Sequence, residues 1–285
     1  MPGGERQACR TVFLAGAECP FTCVFCDLWR YTLDRPTPPG ALVRQLEDAL
    51  ADGAPEIDCL KLYNASNFFD PRAVPDADLP ALAALVADRS RTVVECHPRL
   101  VGDECLDFAR RLDGRLELAL GLETAHPEAL ARLGKRMSLD DFDRACRFAQ
   151  RHDLGLRAFV LIGAPFVPPE ESSGWIRRSV VHALDQGVEH VALIPVRGGN
   201  GALEELAARG QFTPPTPGAI EAAFDDALEV AGRRAVVTLD LWDLDSHFAA
   251  RDCCAAARLE RLAATNTDGA IRASIDCPSC AGAGE

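Results

Sequence analysis

Short apolar stretches that alternate with helix-forming segments are the feature that most restricts how this sequence can fold. Most of the stretches are followed by apolar residues at helical spacing, such as Leu42 and Leu46 after the first and Phe142 and Cys146 after the fourth. Gly53 is predicted to end the first of these helices, and Ser138 and Gly155 are predicted to begin and end the second. Six stretches indicate buried strands, at residues 11–17, 57–63, 92–96, 116–122, 157–162 and 190–196. Parallel strands need helical crossovers, and strands buried on both faces are continuously apolar. The sequence therefore predicts an α/β fold, a partial (β/α)6 TIM-like barrel.

The predicted domain boundary lies near residue 210. Residues 1–210 contain the six strands, and residues 211–285 form a C-terminal extension that is helical and rich in cysteine. Pro214, Pro215 and Pro217 interrupt the chain at its start, because proline cannot continue a helix or donate to a sheet. A helix, one further strand at 236–241 and a second helix carrying Cys253 and Cys254 are expected beyond them.

Composition excludes several classes of protein. The net charge is −13, and an acidic surface disfavours nucleic acid, which stays possible through a local basic patch. Twelve cysteines in 285 residues are too dilute for a secreted disulfide scaffold. The first nine residues are polar, and no apolar run is long enough to span a membrane. We expect a cytoplasmic protein whose thiols are reduced or metal-bound.

Three cysteines follow the first predicted strand within eight residues, at Cys19, Cys23 and Cys26. Thiolates are ligands for zinc, copper(I) or iron–sulfur clusters. Structural zinc usually takes four ligands, offered as two pairs, whereas three thiolates leave one iron of a cubane open. A zinc knuckle or a redox pair is the alternative, because C-x-x-C alone is common. In a barrel the loop after a strand faces the mouth, where the chemistry takes place.

This spacing, with Phe25 just before the third cysteine, resembles the signature of the radical S-adenosylmethionine superfamily. In that family the three cysteines hold a [4Fe–4S] cluster whose open iron binds S-adenosylmethionine. An electron from the cluster then releases a 5′-deoxyadenosyl radical that abstracts hydrogen from the substrate. The resemblance implies that Cys19, Cys23 and Cys26 are the ligands and that Phe25 lies beside the adenine. It also implies a reductant such as flavodoxin or ferredoxin.

The family's other cofactor contacts lie at strand ends, and the resemblance carries them to matching positions here. A glycine-rich turn after the second strand holds the amino group, and this chain has Asn64-Ala65-Ser66-Asn67 there, so Asn64 and Ser66 are the candidates. Ile162, at the end of the fifth strand, is expected to pack on the adenine. Pro195 and Arg197, at the end of the sixth, are expected to offer backbone groups and a cation.

Glu123 ends the fourth strand, within a stretch that resembles the Elongator catalytic subunit and the tRNA methylthiotransferases. That stretch comprises residues 121–127 and 133–137. The resemblance makes Glu123 a contact to the ribose or methionine part of the cofactor. A carboxylate inside a barrel needs a partner, and Lys135 and Arg136 either supply positive charge nearby or belong to a solvated helix end.

The third strand ends in Glu95-Cys96-His97-Pro98-Arg99. Successive side chains on a strand alternate in direction, so Glu95 and Cys96 do not both face inward. His97 and Arg99 contact substrate or have an ordinary surface role.

The C-terminal cysteines suggest a second metal site. Cys277-Pro278-Ser279-Cys280 followed by glycines resembles a zinc-knuckle turn, and Cys253 with Cys254 would complete four ligands for zinc or an auxiliary iron–sulfur cluster. The alternative is a helix with core thiols and a loose tail.

Two functions are thus compatible with the sequence. The first is a radical S-adenosylmethionine enzyme acting on a small metabolite, a peptide or tRNA. The second is a non-catalytic structural or redox-sensing protein that binds zinc or an iron–sulfur cluster.

Overall fold

The computed structural model describes residues 6–51, 57–248 and 253–277. The chain divides into two compact units. The first unit contains residues 7–121 and 134–157, and the second contains residues 1–6, 122–133 and 158–285. Gly53, the predicted end of the first helix, and Cys280 lie outside the described residues.

Seven strands form one sheet in the order β1-β2-β3-β4-β5-β6-β7, which is also their order along the chain. The strands are β1 Cys9–Phe13, β2 Cys59–Tyr63, β3 Arg91–Cys96, β4 Arg115–Glu123, β5 Gly155–Ile162, β6 His190–Pro195 and β7 Val236–Leu239. Within the first unit β1 pairs with β2, β2 with β3 and β3 with β4, all parallel. This is the topology of a partial TIM-like barrel and confirms the predicted fold class.

Helices connect successive strands, as parallel pairing requires, and further helices follow β7. They are α1 Ala41–Leu50, α2 Leu79–Val86, α3 Asp103–Ala109, α4 Pro127–Arg132, α5 Leu139–Arg151, α6 Pro169–Asp185, α7 Ala202–Ala208, α8 Pro217–Ala231, α9 Asp245–Phe248 and α10 Ala255–Asp268. The best defined start is that of α5, where Ser138 and Asp141 form a reciprocal capping box. The apolar face of α5, which includes Phe142 and Cys146, is fully buried.

Two predicted boundaries were wrong for identifiable reasons. β1 ends at Phe13 rather than Ala17, because the N–H groups of Ala15 and Ala17 donate to the side chains of Gln45 and Thr37 instead of a neighbouring strand. Gly155 begins β5 rather than ending α5.

The residues after 210 contribute β7, which pairs in parallel with β6 in the second unit. The sheet therefore has one strand more than the six assigned to the barrel from sequence. Cys253 and Cys254 precede α10 rather than lying within it, with Cys254 at its N-cap.

Cys9 and Cys59 form a disulfide between paired positions of β1 and β2. This corrects the expectation that all thiols are reduced or metal-bound. The two residues face each other across the ladder, with 4.6 Å between their Cα atoms, which is within disulfide reach. Among the described residues, no helix is long and apolar enough to cross a bilayer.

Candidate metal and cofactor site

The cysteine loop, residues 19–26, leaves the sheet after β1 and is closed at its base by backbone bonds. Glu18 N–H donates to the Leu33 carbonyl at 2.9 Å, and Leu33 N–H donates to the Gly16 carbonyl at 2.8 Å. Within the loop, Cys26 N–H donates to the Cys23 carbonyl at 3.1 Å. Cys19, Cys23 and Cys26 are half-buried thiols outside any disulfide.

The spacing of these sulfurs separates two kinds of metal site. Four thiolates on one zinc ion, each at about 2.3 Å, lie about 3.8 Å apart. Among the described residues, the one set of three metal-binding side chains whose ligand atoms all lie within 4.8 Å of one another is Cys253, Cys254 and Cys277. Cys19, Cys23 and Cys26 do not form such a set, so at least one pair of their sulfurs is more than 4.8 Å apart. A cluster, whose cysteines bind different iron atoms, accommodates such a separation.

The turn Asn64–Asn67 follows β2 and contacts the cysteine loop directly. The side-chain amide of Asn67 donates to the sulfur of Cys19 at 3.2 Å. Ala65 has a φ of 53°, in the left-handed region that non-glycine residues rarely adopt. Such strain is found at ligand sites, where the surrounding structure holds it.

Two members of this turn carry buried polar atoms without a hydrogen-bond partner. The Asn64 side chain is fully buried, and neither its amide nitrogen nor its oxygen is paired. The hydroxyl of Ser66 is also buried and unpaired. Leaving such groups unpaired costs about 1–3 kcal/mol each, so a polar ligand that pairs them is stabilised here. These were the two residues of the turn predicted from sequence to contact the cofactor.

Glu95, near the end of β3, stabilises the same turn by accepting two hydrogen bonds. Its carboxylate accepts from Asn64 N–H at 3.3 Å, and its backbone carbonyl accepts from Phe68 N–H at 2.9 Å. Burial raises the pKa of the Glu95 carboxyl to about 7, although the Asn64 bond and the charge of Lys135 act in the opposite direction. Glu95 therefore changes charge near neutral pH, close to the unpaired side-chain amide of Asn64.

His97 is buried and connects the cysteine loop to the segment before α5. Its ring stacks on that of Phe21, with 3.8 Å between centroids and 13° between planes. Nδ1 accepts from Arg99 N–H at 3.2 Å, which leaves Nε2 to donate to the Lys135 carbonyl at 2.9 Å. His97 is thus a buried support of the loop, which corrects the surface role considered from sequence.

Gly134 approaches the cysteine loop so closely that a side chain would not fit. Its φ is 77°, and a Cβ atom would meet the carbonyl oxygen of Thr22 at 2.4 Å. The neighbouring Lys135 is buried, whereas Arg136 is exposed. Lys135 therefore lies inside the protein rather than at a solvated helix end.

Acid should weaken the support that His97 provides. Burial, followed by the charge of Lys135, lowers the pKa of His97 from 6.5 to about 4. The folded state binds fewer protons than the unfolded state between these values, so stability is complete above pH 6.5 and falls as the pH drops towards 4. The free energy of unfolding lost over this whole pH range is about 3 kcal/mol.

The measurement is urea unfolding of the wild type and His97→Gln at pH 7.5 and pH 4.5. The wild type should lose about 2–3 kcal/mol more on acidification than the variant, which has no titrating ring. Equal losses in the wild type and His97→Gln would contradict this role.

The remaining predicted cofactor contacts belong to the second unit. Glu123 is buried at the end of β4 with a φ of 66°, which makes it a second strained strand end. Ile162 and Pro195 are buried at the ends of β5 and β6. Arg197 donates to the Asp240 carboxylate at 3.2 Å and to the Trp242 carbonyl at 2.6 Å. These four roles, and that of the half-buried Phe25, stay predictions.

The tail cysteines, Cys253, Cys254 and Cys277, meet in the second unit. The sulfurs of Cys253 and Cys277 are 3.5 Å apart. Arg261 of α10 holds the segment that leads to Cys277 by donating to the carbonyls of Arg272 and Ala273. It also pairs with Asp225 of α8. Although Cys253 and Cys254 are adjacent in sequence, both reach the same point because they lie in a turn.

Comparison with known proteins gives a fold but no family. No protein-family model matches the chain. A curated relative, the uncharacterized protein MJ0550 of Methanocaldococcus jannaschii, is 21% identical over 162 residues. The match covers 55% of this chain and 44% of that protein.

Solved structures align over most of the chain. SuiB of Streptococcus suis, bound to S-adenosylmethionine, gives a TM-score of 0.62 at 12% identity, covering 81% of this chain and 50% of that one. Elp3 of Methanocaldococcus infernus gives 0.57 at 14% identity, covering 82% and 57%. HemN, the coproporphyrinogen III oxidase of Escherichia coli and a radical SAM enzyme, gives 0.51 at 14% identity, covering 82% and 54%.

The chain has the fold of these proteins. At such low identities the likeness extends to the fold alone. The chain also spans about half the length of each of them and of the curated relative.

Proposed function

We propose that this chain is a radical S-adenosylmethionine enzyme in which Cys19, Cys23 and Cys26 hold a [4Fe–4S] cluster. The observation that carries the proposal is the cysteine loop itself. Three half-buried thiols follow the first strand of a TIM-like sheet, and their sulfurs do not all lie within 4.8 Å of one another, as the ligands of a single ion would. The shared fold with HemN, a radical SAM enzyme, supports the same assignment.

The neighbouring residues fit the proposed cofactor. The amide of Asn64 and the hydroxyl of Ser66 are buried without partners, as expected of groups that pair with a polar ligand. Glu95 adds a carboxylate next to Asn64, suited to a cationic amino group. The ring of His97 and the backbone at Gly134 hold the cysteine loop in position.

When bound, the cluster supplies the electron that splits S-adenosylmethionine and generates a 5′-deoxyadenosyl radical. The protein's own part is to bind, orient and exclude water. In the first unit, Asn64 and Ser66 bind the methionine end of the cofactor. Asn67 would hold Cys19 in place, and the burial of Asn64 and Asn67 would help to exclude water from the site.

Anaerobic purification tests the proposal. The protein should be brown, contain about four iron atoms and four sulfides per chain, and form 5′-deoxyadenosine when given S-adenosylmethionine and a reductant. A colourless protein with zinc in the cysteine loop would instead support the non-catalytic metal-binding alternative.

The type of substrate is a finer part of the proposal. The stretch around Glu123 resembles tRNA-modifying enzymes, and Elp3 shares the fold. The net charge of −13 opposes binding of tRNA, so a small metabolite or a peptide competes with it. We expect a cytoplasmic enzyme that is reduced by flavodoxin or ferredoxin. Stimulation of 5′-deoxyadenosine formation by tRNA, peptide or metabolite pools would separate the substrate classes.

A second metal at the tail cysteines is also part of this proposal. Their sulfurs have the close spacing of ligands that share one ion, which favours zinc over an auxiliary iron–sulfur cluster. Cys280 would be the fourth ligand, at a position outside the described residues.

Removing two tail thiols should release this metal. Cys254→Ser combined with Cys277→Ser leaves too few thiolates for a stable tetrahedral site, so about one zinc ion per chain should be lost while iron stays bound. Elemental analysis of both metals is the measurement. Cys146→Ala, which removes a buried thiol of α5, should keep both. Unchanged zinc in the double variant would eliminate the tail site.

A further inference from the structure

The Asn67 side chain is placed to act on a cluster ligand without being one. It is 4% exposed, and its amide nitrogen lies 3.2 Å from the Cys19 sulfur, within the range of an N–H···S bond. The two residues are 48 positions apart in sequence. This contact therefore depends on the fold and not on the cysteine motif.

Three hydrogen bonds hold the turn that carries the Asn67 amide. The backbone carbonyl of Asn67 accepts from Asp70 N–H at 3.2 Å. The adjacent Phe68 N–H donates to the Glu95 carbonyl, and Asn64 N–H donates to the Glu95 carboxylate. The turn is thus anchored to β3 at both ends, which fixes the backbone that carries the Asn67 side chain.

Hydrogen bonds to cysteine sulfurs are among the factors that set the reduction potential of an iron–sulfur cluster. Adding one electron increases the negative charge on the cluster and its thiolates. A donor aimed at a sulfur stabilises that charge more in the reduced state than in the oxidised state.

We infer that Asn67 is a positioning residue that raises the reduction potential of the proposed cluster through its bond to Cys19. The inference rests on the proposed function, because it requires a [4Fe–4S] cluster at the cysteine loop. It assigns to this chain a specific means of easing one-electron reduction by a flavodoxin- or ferredoxin-type donor.

Two nearly isosteric variants test it. Asn67→Leu removes the donor, and Asn67→Asp replaces it with a carboxylate oxygen that repels the thiolate. We expect Asn67→Leu to shift the reduction equilibrium about tenfold towards the oxidised cluster, a potential lower by about 59 mV for one electron, and Asn67→Asp to shift it further. Anaerobic redox titration followed by EPR measures both.

Asn200→Leu is the matched control, since Asn200 lies in the second unit and accepts from Leu203 N–H at the start of α7. Its potential should equal that of the wild type. Should the Asn67 variants lose iron, pulsed EPR of wild-type protein carrying 15N in its asparagine amides gives a second test. A nitrogen coupled to the reduced cluster supports the bond, and its absence overturns the inference.

The two failures are distinguishable. A wild-type protein without a [4Fe–4S] cluster would defeat the proposed function itself. A wild-type cluster whose potential is unchanged in both Asn67 variants would defeat the role of Asn67 alone.

Discussion

Replacing Cys19, Cys23 or Cys26 singly by alanine is expected to abolish cleavage of S-adenosylmethionine and to lower bound iron sharply. A [4Fe–4S] cluster with three protein ligands has no spare thiolate, so losing one leaves two of its iron atoms without a protein ligand. The loop's backbone bonds do not pass through the cysteine side chains, so the fold should survive. The measurements are iron and sulfide analysis and 5′-deoxyadenosine formation by anaerobic protein.

Cys146→Ala is the matched control, because it removes a thiol that is fully buried in α5 and remote in sequence from the loop. It should keep the iron and the activity of the wild type. Full turnover in any one of the three loop variants would show that the corresponding cysteine is not a ligand.

The fold was largely predictable because its strands are continuously apolar. β3 was predicted to within one residue, and Ser138 was correctly predicted as the N-cap of α5, where it forms a capping box with Asp141. The helices α3 and α7 were not predicted. Each is seven residues long, which is too short for a clear apolar periodicity.

Boundaries failed where a residue's role depends on tertiary contacts. Gly155 was predicted to end α5, but Asp153 takes the left-handed conformation there, with a φ of 53°. Gly155 is needed in β5 because a Cβ would lie 3.0 Å from the side chain of Glu117. A glycine in a sequence does not reveal whether it ends a helix or leaves room for a neighbouring side chain.

In the candidate site, too, the features with a local sequence pattern were predictable and the contacts between distant segments were not. The three cysteines are recognisable from their spacing, and the turn Asn64–Asn67 from its position after a strand. The bond from Asn67 to Cys19 and the stack of His97 on Phe21 join segments far apart in sequence. Neither contact leaves a local pattern. The position of this turn after the second predicted strand was the available signal, and it led to the predictions for Asn64 and Ser66 but to none for Asn67.

Gly134→Ala is expected to displace the cysteine loop. The φ of 77° alone costs a side chain about 1–2 kcal/mol, and crowding in a packed interior adds about 1–3 kcal/mol. The new Cβ would lie 2.4 Å from a backbone oxygen, Thr22 O, which cannot rotate away as a flexible side chain would. The loop between Cys19 and Cys23 must therefore move, and iron content should fall together with the free energy of unfolding.

Gly210→Ala separates the two contributions to that loss. Gly210 has a similar φ of 66°, but a Cβ there would meet nothing within 4 Å. This variant should lose about 1–2 kcal/mol in urea unfolding and keep its iron, whereas Gly134→Ala should lose about 2–5 kcal/mol and much of its iron. Equal iron content in the two variants would mean that the loop tolerates the clash. The close approach at Gly134 would then not be what holds the three thiols in position.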